Sequence, residues 1–361
     1  MLPTIVGPYN PTGYQMIHSI DIRNFRCFEH LEVPKCRRIN LIVGDNGSGK
    51  TALLEAIFMA LAVGPEVALR YRQQRGLDGT FSGPPRQIEE ALWRDLFFKG
   101  EWDRTISVQI SGEGPESRSV TVTRGERQLF IPLTGTNEAR DVSGAPISFT
   151  WRDHKGQEHP SFPRVSAAGI QLEPGAEDMP NFFYYAANQT NPSTENATRF
   201  SELSRSGRLH EFVRVFAREY KWIDDLSIEV LAGAPVIYAT IGQNRLPLAY
   251  VSSGLNRIIA IMLAIASREQ SVILVDEVED GIYYKHHTAI WRGLISFARN
   301  YDSQIILTTH SAEWMNALAE AAGDDMKDIS LWRLERSAFQ PVLRQFFGKQ
   351  VIAGIKAGEI R

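Results

Sequence analysis

Residues 39–51 read Ile-Asn-Leu-Ile-Val-Gly-Asp-Asn-Gly-Ser-Gly-Lys-Thr. A strand-type run, Ile39–Val43, leads into glycine-rich residues 44–49. Apolar residues at Leu53, Leu54, Ile57, Phe58 and Leu61 then follow with a helical period. Strand, glycine loop and helix in this order leave few architectures open. Gly44-Asp45-Asn46-Gly47-Ser48-Gly49-Lys50-Thr51 fits the phosphate-binding pattern GxxxxGK[ST] without a mismatch. Glycines let backbone N–H groups turn inward around phosphate oxygens, and the helix behind them presents its positive end. Lys50 is expected to reach the β- and γ-phosphates of a nucleotide, and the Thr51 hydroxyl to ligate Mg²⁺.

Two short strands, 16–22 and 31–33, are expected ahead of this unit, joined by a turn over 24–30. Residues 105–111, 119–123 and 147–151 alternate apolar with polar and lie among frequent Pro and Gly, so a β-rich insertion is expected there. Buried strands are expected at 182–187, 271–275 and 304–308, a final strand at 329–334, and helices at 253–267, 288–299 and 312–322. A tail with one short helix closes the chain. Strands alternating with helices at both ends predict an α/β fold: a P-loop NTPase with a mixed or parallel sheet, its core split by the insertion. The expected divisions are a loose tail over 1–15, a first core piece over 16–64 and the insertion over 65–180. A helical and β segment over 181–250 and a second core piece over 251–361 complete the chain.

Three motifs can be placed on this frame. Ile273-Leu274-Val275-Asp276-Glu277 is an apolar strand ending in two acids. Ligands bind at the C-terminal edge of a parallel sheet, so Asp276 is expected on the metal and Glu277 on the attacking water. Taken alone, an apolar run ending in acids is commonplace; beside a phosphate loop it gains meaning. His310 follows the strand over 304–308 and is expected at the same edge, as a γ-phosphate partner or a structural histidine. Val251-Ser252-Ser253-Gly254 opens a helix, either as a second anion site or as an ordinary cap.

In this order the motifs resemble the ABC-type ATPases, on the SMC, RecF and OLD side rather than the transporter side. Ile20-Asp21-Ile22-Arg23-Asn24-Phe25-Arg26-Cys27-Phe28 is similar to the opening of RecF- and SMC-like proteins. Asp276-Glu277-Val278-Glu279-Asp280-Gly281 is similar to the acidic motif of stand-alone ATPases of the AAA_15 and AAA_21 type and of OLD proteins. The resemblance implies ATP and Mg²⁺ as ligands, with Asn24 and Arg26 near the nucleotide. It implies Gln189 as the glutamine that senses metal and γ-phosphate. Ser252, Ser253 and Gly254 become the signature that meets the γ-phosphate of an opposite protomer, Asp280 lies in the D-loop, and His310 is the switch histidine. Ser253 replaces the usual first glycine of the signature, Leu255 its final polar residue, and Tyr283 stands where this subfamily often has His. A homodimer closing on two ATP molecules is implied, with a protein effector such as a nuclease or toxin in phage defence; a RecF-like DNA-repair ATPase is the alternative. OLD nucleases carry a further metal-binding domain, and only 25 residues follow Arg336, so no nuclease domain is expected here.

Composition narrows the partners. The 361 residues carry a net charge of −3, so no global basic field favours nucleic acid. A local bias, Arg199, Arg205, Arg208, Arg214, Arg218 and Lys221, is either a solvated helix or a DNA surface. Two cysteines make no disulfide framework. The longest apolar run is nine residues, 258–266, against about 20 for a membrane span. A cytoplasmic protein off the membrane is expected.

Overall fold

The computed structural model describes residues 16–62, 64–75, 83–112, 117–125, 147–166, 169–172, 180–187, 193–323 and 325–358. The expected tail over 1–15 and Gln189 lie outside the described residues.

Strands β1 (Ile17–Phe25) and β2 (Phe28–Val33) form a hairpin, tighter than the turn expected over 24–30. Strand β3 (Ile39–Val43) leads through the glycine loop into α1 (Lys50–Leu61), followed by α2 (Glu66–Gln74) and α3 (Pro85–Trp93). Next come β4 (Ile106–Gly112), β5 (Arg118–Arg124), β6 (Ile147–Arg152) and β7 (Glu158–Ser161), then the small pair β8 (Arg164–Ser166) and β9 (Gly169–Gln171). β4 pairs antiparallel with β1, so the β-rich stretch continues the sheet begun by the first hairpin, in the order β2-β1-β4-β5-β6-β7.

Strand β10 (Phe182–Tyr185) precedes α4 (Ser193–Arg205) and α5 (Leu209–Glu219), which are separated by a break at Ser206–Gly207. A three-stranded sheet of β11 (Asp225–Leu231), β12 (Ala234–Ile241) and β13 (Asn244–Pro247) leads to α6 (Leu248–Val251) and α7 (Ser253–Ser267). The remaining elements are β14 (Val272–Val275), α8 (His287–Asn300), β15 (Gln304–Thr308), α9 (Ala312–Ala322), β16 (Ile329–Glu335), β17 (Val342–Phe347) and α10 (Lys349–Ala357). The tail thus holds a strand as well as the one expected helix; β17 is an antiparallel edge strand whose residues are only partly buried, so its pattern is faint.

The second six-stranded sheet runs β10-β14-β15-β3-β16-β17, parallel except for β17. Its central strands are buried on both faces, which is why they read as apolar runs. Helix α1 lies between the two sheets. Leu53, Leu54, Ile57, Phe58 and Leu61 are each at most 2% exposed, and each such burial contributes about 1.5–3 kcal/mol. Two buried amides pin the layers. Gln304 exchanges both backbone hydrogen bonds with Ile17, tying β15 to β1. Asn40 accepts from Ser330 Oγ at 2.7 Å and donates to the Ile305 carbonyl, tying β3 to both neighbours.

Candidate active site

Four strands of the parallel sheet end at one edge, so the residues after them converge. Gly44 follows β3, Asp276 follows β14, His310 follows β15 closely and Arg336 follows β16. The loop after β3 needs its glycines. A Cβ on Gly44 (φ 144°) would lie 2.2 Å from the Leu334 carbonyl oxygen, and one on Gly49 (φ 101°) 2.9 Å from the Phe28 ring and 3.0 Å from Cys27 Sγ. The loop is therefore wedged between β16 and the β1–β2 turn. Asp45, Asn46 and Gly47 are exposed at its tip, while Ser48 is buried with its hydroxyl unpartnered.

Lys50 is 7% exposed and donates from Nζ to the carbonyls of Gly44 at 2.7 Å and Asp45 at 3.1 Å. The ammonium thus rests on its own loop. Burial pulls its pKa below the ordinary lysine value, and Glu277 and Asp276 partly oppose this. Thr51 Oγ1 donates to Asp276 Oδ2 at 2.9 Å, although β15 separates their strands. Asp276 is 3% exposed, and its other oxygen accepts from Thr308 Oγ1 at 2.6 Å. The Thr308 hydroxyl in turn accepts from the Glu277 N–H at 2.8 Å.

Glu277 sits at φ 46°, a left-handed conformation that is strained for a residue with a side chain. Burial, together with the Asp280 and Asp276 carboxylates, pushes its pKa above the ordinary glutamate range; His310 opposes the rise. His310 Nδ1 lies 3.3 Å from Glu279 Oε1 and 3.9 Å from Glu277 Oε1, and its backbone N–H donates to Glu279 at 3.0 Å. The structure therefore brings together Lys50, Thr51, Asp276, Glu277 and His310.

Ser252 caps α7, its hydroxyl accepting from the Leu255 N–H at 3.2 Å, while Ser253 is exposed. A Cβ on Gly254 would lie 2.1 Å from the Gly281 carbonyl oxygen, so this turn packs directly on the segment holding Asp280. Asn24 and Arg26 are engaged elsewhere: Asn24 donates to the Thr105 carbonyl at 2.9 Å, and Arg26 Nε lies 2.8 Å from the buried carboxylate of Glu55 on α1.

The structure gives roles to four residues to which the sequence assigned none. Thr308 orders both acids. Arg257, the single cation of the apolar helix α7, donates to the Asp276 carbonyl at 2.5 Å and the Glu277 carbonyl at 3.4 Å. Glu279 holds His310, and Arg336 stands beside the loop tip. An isolated charge in an apolar helix was a usable signal for Arg257; Thr308 and Arg336 depend on strand register.

The donor set fits a nucleotide with Mg²⁺. Gly44 and Gly49 leave no room for side chains, the Ser48 hydroxyl is orphaned, and the Thr51 hydroxyl faces the Asp276 carboxylate. Among the described residues no cluster of three or more His, Cys, Asp or Glu could hold a metal alone. That suits Mg²⁺, which commonly takes one or two protein ligands and completes its shell with phosphate and water.

Fold and site define a phosphate-loop NTPase of ABC type. An AAA domain model matches residues 19–212, more than half of the chain, and an AAA ATPase domain model matches residues 184–314. The chain belongs to this AAA-domain family, within the SMC/RecF-like part of the ABC-type ATPase superfamily. A Helicobacter pylori protein named ATP/GTP phosphatase is 20% identical over 365 residues, covering 93% of this chain and 97% of that protein. Structural maintenance of chromosomes protein 6 of Saccharomyces cerevisiae is 50% identical over 143 residues, 38% of this chain but 13% of that protein. RecF of Idiomarina loihiensis, a DNA replication and repair protein, is 46% identical over 43 residues, 12% of each chain. In fold the chain is similar to an SMC head bound to the C-winged-helix domain of ScpA, with TM-score 0.52, 12% identity, and 93% of this chain and 99% of that chain covered. No helix among the described residues is long and apolar enough to cross a membrane.

Proposed function

We propose that this chain binds and hydrolyses ATP, closes as a homodimer around two ATP molecules, and regulates or scaffolds a protein effector, a nuclease or toxin of phage-defence type. The observation that carries the ATPase reading is the contact of Thr51 with Asp276, with Glu277 and His310 beside it. Lys50 exchanges its loop carbonyls for nucleotide phosphates. Thr51 and Asp276 would hold Mg²⁺, which when bound neutralises charge on the phosphate chain. Glu277 orients the attacking water, and its raised pKa suits a proton acceptor. His310, steered by Glu279, hydrogen-bonds the γ-phosphate. Ser252, Ser253 and Gly254 serve the neighbour's nucleotide from the positive end of α7. Gln189, Asn24 and Arg26 remain proposed nucleotide contacts by resemblance.

A RecF-like DNA-binding ATPase is the second reading, supported by the RecF and SMC relatives. Of the basic stripe, Arg199 pairs with Glu195 and Arg208 with Glu269, while Arg205, Arg214 and Lys221 are exposed. DNA-stimulated hydrolysis with a steep salt dependence supports this reading over the effector model.

The shared site is tested by mixing Ser252→Arg with Lys50→Ala. Neither homodimer can form a complete site, whereas the heterodimer pairs one intact loop with one intact signature. Phosphate release by the mixture above that of either variant supports the model. Normal hydrolysis by Ser252→Arg alone, at concentrations where it is monomeric, refutes it and returns the motif to a helix cap.

A further inference from the structure

We infer that Arg336 is a second cationic ligand of the nucleotide's phosphate chain, supplied in cis by the β16–β17 hairpin. The inference rests on the phosphate-loop reading above and adds a contact outside the loop and its helix.

Strand register places this residue. β16 runs parallel to β3 with Arg333 opposite Val43, and the Leu334 carbonyl lies against Gly44. Continuing two residues beyond Leu334 sets Arg336 beside the loop tip. Its Nη1 stands 3.8 Å from the Cβ position of Gly47. The next turn is held from both sides. Ser337 Oγ donates to the Gln340 carbonyl at 2.6 Å, and the Gln340 side-chain oxygen accepts from the Glu29 and His30 N–H groups at 2.9 and 2.8 Å. The backbone that carries Arg336 is thereby anchored to the start of β2, next to the turn that backs Gly49.

The guanidinium is also uncommitted. Arg336 is exposed and has no ion pair among the described residues. The neighbouring carboxylate of Glu335 is met by Arg333 at 3.3 Å and Arg344 at 3.4 Å, so it does not hold Arg336. The other arginine near the loop, Arg26, is engaged with Glu55. Among the described residues, Arg336 therefore stands at the loop tip as an unpaired planar cation on an anchored backbone, and the same loop holds the buried, unpartnered Ser48 hydroxyl. Guanidinium matches phosphate oxygens in a bidentate fork, which makes a polyphosphate the chemistry this group fits.

Calorimetry of ATP and of inorganic tripolyphosphate, both with Mg²⁺, tests the assignment on the full chain with Arg336→Ala, Arg336→Lys and Arg336→Glu. Arg336→Ala is expected to weaken both ligands by about tenfold, the lower end for a charge-assisted hydrogen bond at an exposed rim. Lysine should recover part of the loss and glutamate should deepen it. Arg336 is exposed, so an unchanged melting temperature is expected to confirm folding. ATP affinity of Arg336→Ala within twofold of the parent overturns the inference. Weaker ATP binding with unchanged tripolyphosphate binding also overturns it, because the contact would then be to base or sugar. Lys50→Ala separates the two levels. If it binds ATP as the parent does, the phosphate-loop reading fails; if it loses ATP while Arg336→Ala does not, only this inference fails.

Discussion

Replacing Thr308 by Val keeps the shape of a fully buried side chain and deletes one hydroxyl. That hydroxyl donates to Asp276 Oδ1 at 2.6 Å and accepts from the Glu277 N–H at 2.8 Å. The valine leaves a carboxylate oxygen and a backbone N–H without partners. Each unsatisfied group costs about 1–3 kcal/mol, so the two together cost about 2–5 kcal/mol after the small gain from an added methyl. At about 2 °C per kcal/mol for a chain of this size, the melting temperature should fall by about 4–10 °C without nucleotide. Thr308→Ser keeps both hydrogen bonds and loses one methyl, worth about 1 kcal/mol, or about 2 °C. Differential scanning fluorimetry of the two variants separates the polar contribution from the packing one. Phosphate release should also fall in Thr308→Val, because Glu277 loses the bond that holds its strained backbone. A Thr308→Val melting temperature within 1 °C of the parent, or a Thr308→Ser loss equal to that of valine, would refute the reasoning.

Glu277→Gln should still bind ATP and accumulate as a closed dimer in gel filtration with ATP, with phosphate release lowered by about 10²–10⁴-fold; parent-level turnover removes Glu277 from the mechanism. The same variant has a stability signature. A raised carboxylate pKa costs folding free energy above the unfolded value, so Glu277→Gln should melt slightly higher than the parent at pH 7–8 without nucleotide. That gain should vanish as the pH falls to the ordinary glutamate range. A gain that persists at pH 4 would contradict the assigned cause. Chelating Mg²⁺ with EDTA should abolish phosphate release while leaving residual nucleotide binding measurable by calorimetry, since Lys50 and the loop amides remain.

The phosphate loop was legible because its chemistry is local. Turn, cradle and helix end are all made by eight consecutive residues, and two of the glycines are demanded by backbone or ring atoms at the distances seen for Gly44 and Gly49. The acids after β14 and the histidine after β15 were legible for a related reason: an apolar run buried on both faces marks a central parallel strand, and its end marks the ligand edge. The expected contacts of Asn24 and Arg26 came from resemblance, and in this structure, which holds no nucleotide, their side chains meet Thr105 and Glu55.

What tertiary structure decided was pairing. Alternating strands at 106–112 and 118–124 look alike whether they form a separate sheet or extend the first hairpin; only the register of β4 on β1 settles it. β17 pairs along one edge and is half-buried, so it lacks the pattern that marked the inner strands. Thr308 next to two acids, Arg257 under their carbonyls and Arg336 beside Gly47 all come from elements far apart in the chain. The sequence by itself marked the residues proposed here for phosphate and proton chemistry, because those types and spacings are set within single strand–loop units. Which side chains hold them in place was decided by strand order and register, since a hydrogen bond across a sheet depends on where two distant strands stop.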